Sequence, residues 1–176
     1  MRAVTTPAKI HDFMRTFASR VGEGQIFFTG GVSALLMGWR ETTIDIDLKA
    51  DPEPSNFFEA IAELKETLDI NIELASPDQF IPALPHWRAR SIFIQEYAGV
   101  TFFHYDFYSQ SLAKIERGHT RDLSDVQSMI ERKLVIPSMI LTLFGTIAPS
   151  LIRFPRIDPV RFQKRVRSIC GVPPQD

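Results

Sequence analysis

The stretch from Gly30 to Leu48, GGVSALLMGWRETTIDIDL, carries the residue types best suited to chemistry, because it ends with Asp45 and Asp47 two positions apart in a run that otherwise favours a β-strand. A strand sends alternate side chains to one face, so both carboxylates emerge together. Aspartate is depleted in strands, and like charges about 4 Å apart at a protein surface repel by about 4 kcal/mol unless something lies between them. A cation removes that cost. Oxygen-only ligands suit Mg2+ or Mn2+, and a hard ion held by one or two carboxylates usually shares its coordination sphere with phosphates. Asp45 and Asp47 are therefore the candidate metal ligands and the candidate active site. Upstream, the Gly30-Gly31 pair lets the backbone turn sharply between a strand and a helix and approach a ligand closely, while the helix N-terminus offers N–H groups. Gly30, Gly31 and Ser33 are the candidate phosphate contacts. Glycine pairs also occur for purely structural reasons, and this one gains weight because its helix leads directly into the acidic strand.

A third carboxylate comes from DINIEL, residues 69–74, which alternates Asp69, Asn71 and Glu73 with Ile70, Ile72 and Leu74. That is the pattern of a half-buried strand, and its polar face offers Glu73, with Asp69 as the competing choice. Three converging acids would hold two divalent ions about 3.5–4 Å apart, one activating an attacking hydroxyl and one stabilising a leaving pyrophosphate. Farther along, Lys114, Arg117 and Arg121 fall on nearly one helical face across Gly118, followed by Asp122 and Asp125. Either this is a solvated charged face, or Lys114 reaches a triphosphate as a point charge while Asp122 or Asp125 orients it. The four histidines have no cysteine companions or metal-ligand spacing, so no zinc site is expected.

The elements that must position these groups read as follows. Thr5 or Thr6 before Pro7 opens an amphipathic helix through Ile10, Phe13, Met14, Phe17 and Val21. Gln25–Thr29 is a short strand, VSALLMGW a helix packed under a sheet, and Thr42–Lys49 the acidic strand, with Ile44, Ile46 and Leu48 on its buried face. Phe57, Phe58, Ile61, Leu64 and Leu68 mark one face of a helix, and Asp69–Leu74 the next strand. Prolines 77, 82 and 85 predict a surface loop over Ser76–Arg90, and Ser91–Tyr97 with Val100–Tyr108 a hairpin. Helices are expected over Ser109–Arg117, Arg121–Lys133, Pro137–Ala148 and Pro159–Cys170, with a frayed PPQD tail. The outline is α+β: a mixed sheet with flanking helices, residues 1–108, and a helical C-terminal region, residues 109–176, packed as one compact domain.

Composition agrees. A chain of 176 residues, 44% hydrophobic and 23% charged, buries a core, and a net charge of -1 excludes a globally basic nucleic-acid footprint. The single cysteine builds no internal disulfide, and the N-terminus lacks a signal-peptide core, so the cytoplasm is the expected compartment. The apolar stretch Val135–Ile152 is interrupted by polar, glycine and proline residues and reads as a buried helix, so no membrane partner is expected.

The Gly30-Gly31 turn, the following helix, the Asp45-x-Asp47 strand and Glu73 together resemble the nucleotidyltransferase superfamily with the DNA polymerase beta type catalytic fold. More closely, the chain is similar to small bacterial stand-alone members related to abortive-infection and toxin–antitoxin nucleotidyltransferases. Their Lys-x-x-Arg-Gly-x-x-x-Asp-Leu-x-Asp-Val segment is matched here by Lys114, Arg117, Gly118, Asp122, Leu123, Asp125 and Val126. The resemblance implies a Mg2+- or Mn2+-dependent enzyme that binds ATP or another NTP and transfers NMP to a hydroxyl. Its catalytic metal ligands would be Asp45, Asp47 and Glu73, and its nucleotide contacts Gly30, Gly31, Ser33, Lys114, Arg117 and Asp122. The acceptor is an RNA or tRNA end, a protein or a small molecule, and an antitoxin protein is a further possible partner. Arg153, Arg156, Arg161, Lys164, Arg165 and Arg167 against Asp158 make the C-terminal segment locally basic, either to seat a tRNA end or as a solvated helix. Two departures stand out: the superfamily's serine after the first glycine is Gly31, and the middle of the third acidic strand is Asn71. They motivate an alternative, a non-catalytic nucleotide sensor or antitoxin-partnered module of the same fold.

Overall fold

A computed structural model describes residues 4–173; all but the first residue of the PPQD tail lies outside them. The chain forms two compact units, one running up to Ser76 and resuming over Ser91–Tyr105, the other made of Pro77–Arg90 and the chain from Asp106 onward. The boundary expected between residues 108 and 109 falls shortly beyond the last crossing, and Pro77–Arg90 belongs to the second unit.

The first unit holds α1 (Pro7–Ala18), β1 (Gly24–Phe28), α2 (Gly30–Met37), β2 (Asp45–Ala50), α3 (Phe57–Thr67), β3 (Asn71–Leu74), β4 (Ile92–Tyr97) and β5 (Val100–His104). Thr6 caps α1, its hydroxyl accepting from the Lys9 amide at 3.4 Å, and Pro7 takes the first helical position, where a missing N–H costs nothing. The strands form one mixed sheet in the order β3-β2-β1-β5-β4. β1 pairs antiparallel with β2 and parallel with β5, β2 pairs parallel with β3, and β4 pairs antiparallel with β5. The βαβ step through α3 is what makes β2 and β3 parallel. One face of the sheet, carrying Ile26, Phe28, Ile46, Leu48, Ile72 and Phe102, packs with Phe13, Phe17, Phe57 and Leu64 of α1 and α3 into a single core.

Three expectations are corrected here. Ile44 is 63% exposed because β2 begins only at Asp45, so Ile44 stands in the approach to the strand and not on its buried face. Phe58 is 58% exposed, its ring set edge-on against that of Phe57, which takes the core position alone. Asp69 sits outside β3 at φ +50°, a left-handed conformation that the short polar side chain of aspartate tolerates in a turn.

The second unit holds a 3-10 turn (Pro77–Gln79), α4 (Trp87–Arg90), α5 (Phe107–Arg117), α6 (Thr120–Glu131), α7 (Pro137–Ile147), a 3-10 stretch (Ala148–Arg153) and α8 (Pro159–Ile169). The segment expected as a loop over Ser76–Arg90 is folded: Ile81 and Leu84 are buried, and Arg90 grips Asp106 with two hydrogen bonds of 3.1 and 2.8 Å. Asp106 also accepts from the Tyr108 amide and the Ser109 hydroxyl, so it caps α5 and starts that helix at Phe107 rather than Ser109. Among the described residues no helix is long and apolar enough to cross a membrane.

Candidate active site

The acidic side chains lie on the sheet face turned away from the α1–α3 core. Parallel pairing of β2 with β3 sets Asp45 beside Asn71 and Asp47 beside Glu73. Partners in register share a face, so all four polar side chains stand together, with Ile46 and Ile72 between them buried on the other side. Asp45 and Asp47 are half-buried and Glu73 is exposed. The Asn71 amide donates to Asp45 Oδ1 at 2.5 Å and to Glu73 Oε1 at 3.3 Å, a neutral bridge that keeps the two acids apart in charge but close in space. Among the described residues no three acidic, histidine or cysteine side chains are gathered tightly enough to hold a metal ion as they stand. The donor set nevertheless fits a hard divalent ion: carboxylate oxygens on one face of adjacent strands, without sulfur or imidazole.

The glycine turn meets these acids. Gly30 begins α2 at φ +59°, and a Cβ built on it would lie 2.6 Å from Asp47 Oδ2. Only a residue without a side chain takes that backbone shape and leaves room for the carboxylate. The Asp47 carbonyl also accepts from the Thr29 amide at 3.0 Å, fastening the turn to β2. A Cβ on Gly31 would collide with Thr43 Oγ1, and Arg40 Nη1 lies 3.5 Å from the same point. The Thr43 hydroxyl donates to the backbone carbonyl of Asp45 at 3.2 Å, and Thr43 forms a two-way backbone bridge with Thr5. Arg40 and Thr43 were not singled out from sequence. Thr43 continues the period of two set by Asp45 and Asp47 and was legible on that ground; for Arg40 the only signal was its place between the glycines and the acids.

Ser33 occupies a different environment from the one expected of a phosphate contact. It is fully buried, its hydroxyl donates to the Phe28 carbonyl at 3.2 Å, and its oxygen lies 3.1 Å from His104 Nδ1. With the hydroxyl hydrogen committed to Phe28, Nδ1 carries the proton shared with Ser33. Burial pushes the His104 imidazole down to about 4, so it is neutral near pH 7. Ser33 and His104 thus brace the strand-to-helix corner from inside.

The second unit holds the remaining expected residues. Lys114 and Asp125 are buried and joined at 2.7 Å, with Asp122 Oδ1 at 3.5 Å from the same ammonium. Arg117 clamps Asp122 with two hydrogen bonds, of 2.7 and 2.5 Å. Burial works to raise the Asp122 carboxyl, but the Arg117 hydrogen bond and the Lys114 charge prevail and hold it below its ordinary value. The reading of Lys114, Asp122 and Asp125 as a solvated face is therefore overturned: they form a buried ionic cluster between α5 and α6. In the basic C-terminal segment, Arg165 donates to the Glu116 carbonyl and covers Gly118, and Arg167 donates to the Pro173 carbonyl at 2.8 Å. Compared with models of protein families, with curated proteins and with solved structures, the chain finds no match.

Proposed function

We propose that the chain is a Mg2+-dependent nucleotidyltransferase that moves a nucleoside monophosphate from an NTP to a hydroxyl acceptor, on the polymerase-beta type core that its motifs resemble. The observation that supports this reading is the placement of Asp45, Asp47 and Glu73 on one face of the β2–β3 pair, with Asp47 against the Gly30 turn. Asp45 and Asp47 would hold the divalent ion, with Glu73 as the third carboxylate. Once bound, such ions neutralise a triphosphate and lower the pKa of an attacking hydroxyl. Asn71 keeps Asp45 and Glu73 aimed at common space, and Gly30 lets the backbone approach the phosphates without a side chain in the way. An RNA or tRNA end, a protein or a small molecule is the acceptor, and the enzyme is of the toxin type.

The test is to incubate the protein with labelled NTPs, Mg2+ and total cellular RNA or protein. Labelling of an acceptor is expected, and Asp47→Asn should lower it more than 100-fold, as loss of a metal-holding carboxylate does in two-ion chemistry. Equal labelling by wild type and variant would overturn the reading. One observation favours a second reading, a nucleotide sensor or antitoxin-partnered module without turnover: the Asn71 amide already engages both Asp45 and Glu73. NTP binding without pyrophosphate release would support it, and measurable release would remove it.

A further inference from the structure

The last helix, α8, ends by turning its chain back on itself. Gly171 is left-handed at φ +69°, its amide donates to the Ser168 carbonyl at 3.2 Å, and the Val172 amide donates to the Arg167 carbonyl at 2.9 Å. Paired bonds of this kind close a helix on a glycine and reverse the chain that follows. The Pro173 carbonyl then accepts from the Arg167 guanidinium twice, at 3.2 and 2.8 Å. Between the returning chain and the helix lies an open cavity of about 590 Å³, lined by Val160, Lys164, Arg167 and Ser168 of α8 and by Val172 and Pro173.

Val160, Lys164, Arg167 and Ser168 follow the i, i+4, i+7, i+8 spacing of one helical face, while Phe162 and Val166 take the buried face. The rise from Val160 to Ser168 makes the groove about 12 Å long. Val160 is 76% exposed, so it contributes little to the core. α8 carries Arg161, Lys164, Arg165 and Arg167 and no acid, on a chain whose net charge is -1. Asp158, at its start, is turned to the Arg161 amide as the cap. The carbonyl that holds Arg167 is neutral, so the guanidinium is fixed in place without its charge being balanced by that contact.

The charge calls for an acidic partner, and the rest of the lining narrows its class. Single-stranded nucleic acid is held by cations together with aromatic side chains on which bases stack, and among the described residues no aromatic side chain lines this cavity. Small ligands are enclosed by clefts that bury most of their surface, whereas Val160, Lys164, Ser168 and Pro173 are all exposed. A peptide that carries both carboxylates and an aliphatic side chain matches the two halves of the groove: the carboxylates meet Lys164 and Arg167, and the aliphatic group covers Val160, Val172 and Pro173. We infer that this face of α8 docks an acidic segment of a partner protein, anchored by a leucine-like side chain between the helix and the returning chain.

The probe is a fluorescein-labelled peptide of repeated Leu-Glu-Glu-Leu units, titrated with the full chain and followed by fluorescence anisotropy. Binding is expected, and Lys164→Glu should weaken it at least tenfold and Val160→Ser at least threefold; both positions are exposed, so the fold is retained. Arg153→Glu, the same charge reversal at an exposed position outside the cavity lining, should weaken it less than threefold. A peptide with serine in place of every leucine should bind at least tenfold more weakly than the parent, which separates docking from bare charge attraction. No binding by the wild type, a loss in Arg153→Glu equal to that in Lys164→Glu, Val160→Ser within twofold of wild type, or equal binding of the serine peptide would each overturn the docking site. Tighter binding of oligouridylate of the same length would overturn it too, and would make this face a surface for RNA.

Discussion

At the scale of single residues, two glycines in sequence are required for two different reasons. Gly30 is fixed by its backbone, at φ +59°, and by the carboxylate of Asp47; Gly31 is fixed by the hydroxyl of Thr43. Gly31→Ser should therefore destabilise the fold by about 1–3 kcal/mol, the usual cost of overpacking. In a Thr43→Ala background the same change should cost at least 1 kcal/mol less, because the colliding hydroxyl is gone. Denaturant titration of the four proteins reads this coupling directly, and strictly additive effects would contradict the contact. Which residue types matter was legible here: a period of two in Thr43, Asp45 and Asp47 follows from strand geometry alone. What fills the space above a glycine was not, since it depends on a connection folding back across several residues. Ser33 shows the same limit. Its hydroxyl looked available to a ligand, and burial behind β1 gave it to the Phe28 carbonyl instead.

Among the elements, α2 is tied to the sheet from inside by the Ser33–His104 contact. Because burial lowers the His104 imidazole to about 4 from a normal value of 6.5, the unfolded chain takes up a proton in this range before the folded one does. Stability from this group is complete above about pH 6.5 and declines as the pH falls toward 4, by about 3 kcal/mol in all. His104→Asn, whose amide can still donate to Ser33, should flatten that decline, as seen by urea unfolding at pH 7 and pH 5. An unchanged slope would place the acid sensitivity elsewhere. The strands and long helices were readable because each repeats its apolar residues at its own period over a full element. The segment Pro77–Arg90 was not, because its order comes from Asp106, far along the chain, and its three prolines hide the short turns at Pro77–Gln79 and Trp87–Arg90. Asp106 also explains why α5 begins two residues earlier than its apolar spacing indicated.

For the molecule as a whole, the two units are interleaved along the chain, since Pro77–Arg90 belongs with the helices that follow Asp106 while Ser91–Tyr105 returns to the sheet. A fragment ending at residue 108 would thus carry Pro77–Arg90 without most of α5, the helix that the turn at Pro77–Gln79 packs against. Ile81 and Leu84, buried in the intact chain, would lose cover, and the fragment is expected to aggregate where the full chain stays monodisperse on gel filtration. A well-behaved fragment would show that these residues find burial without α5. The interleaving also bears on the order of events at the ribosome. β1 is the third strand of five across the sheet, yet its parallel neighbour starts at Val100, paired with Gly24. Until that neighbour is synthesised, one side of the nascent strand has no native ladder to join, so completion of the sheet waits on a long-range closure. Topologies that depend on such late partners fold slowly and keep their unpaired edges open to other chains.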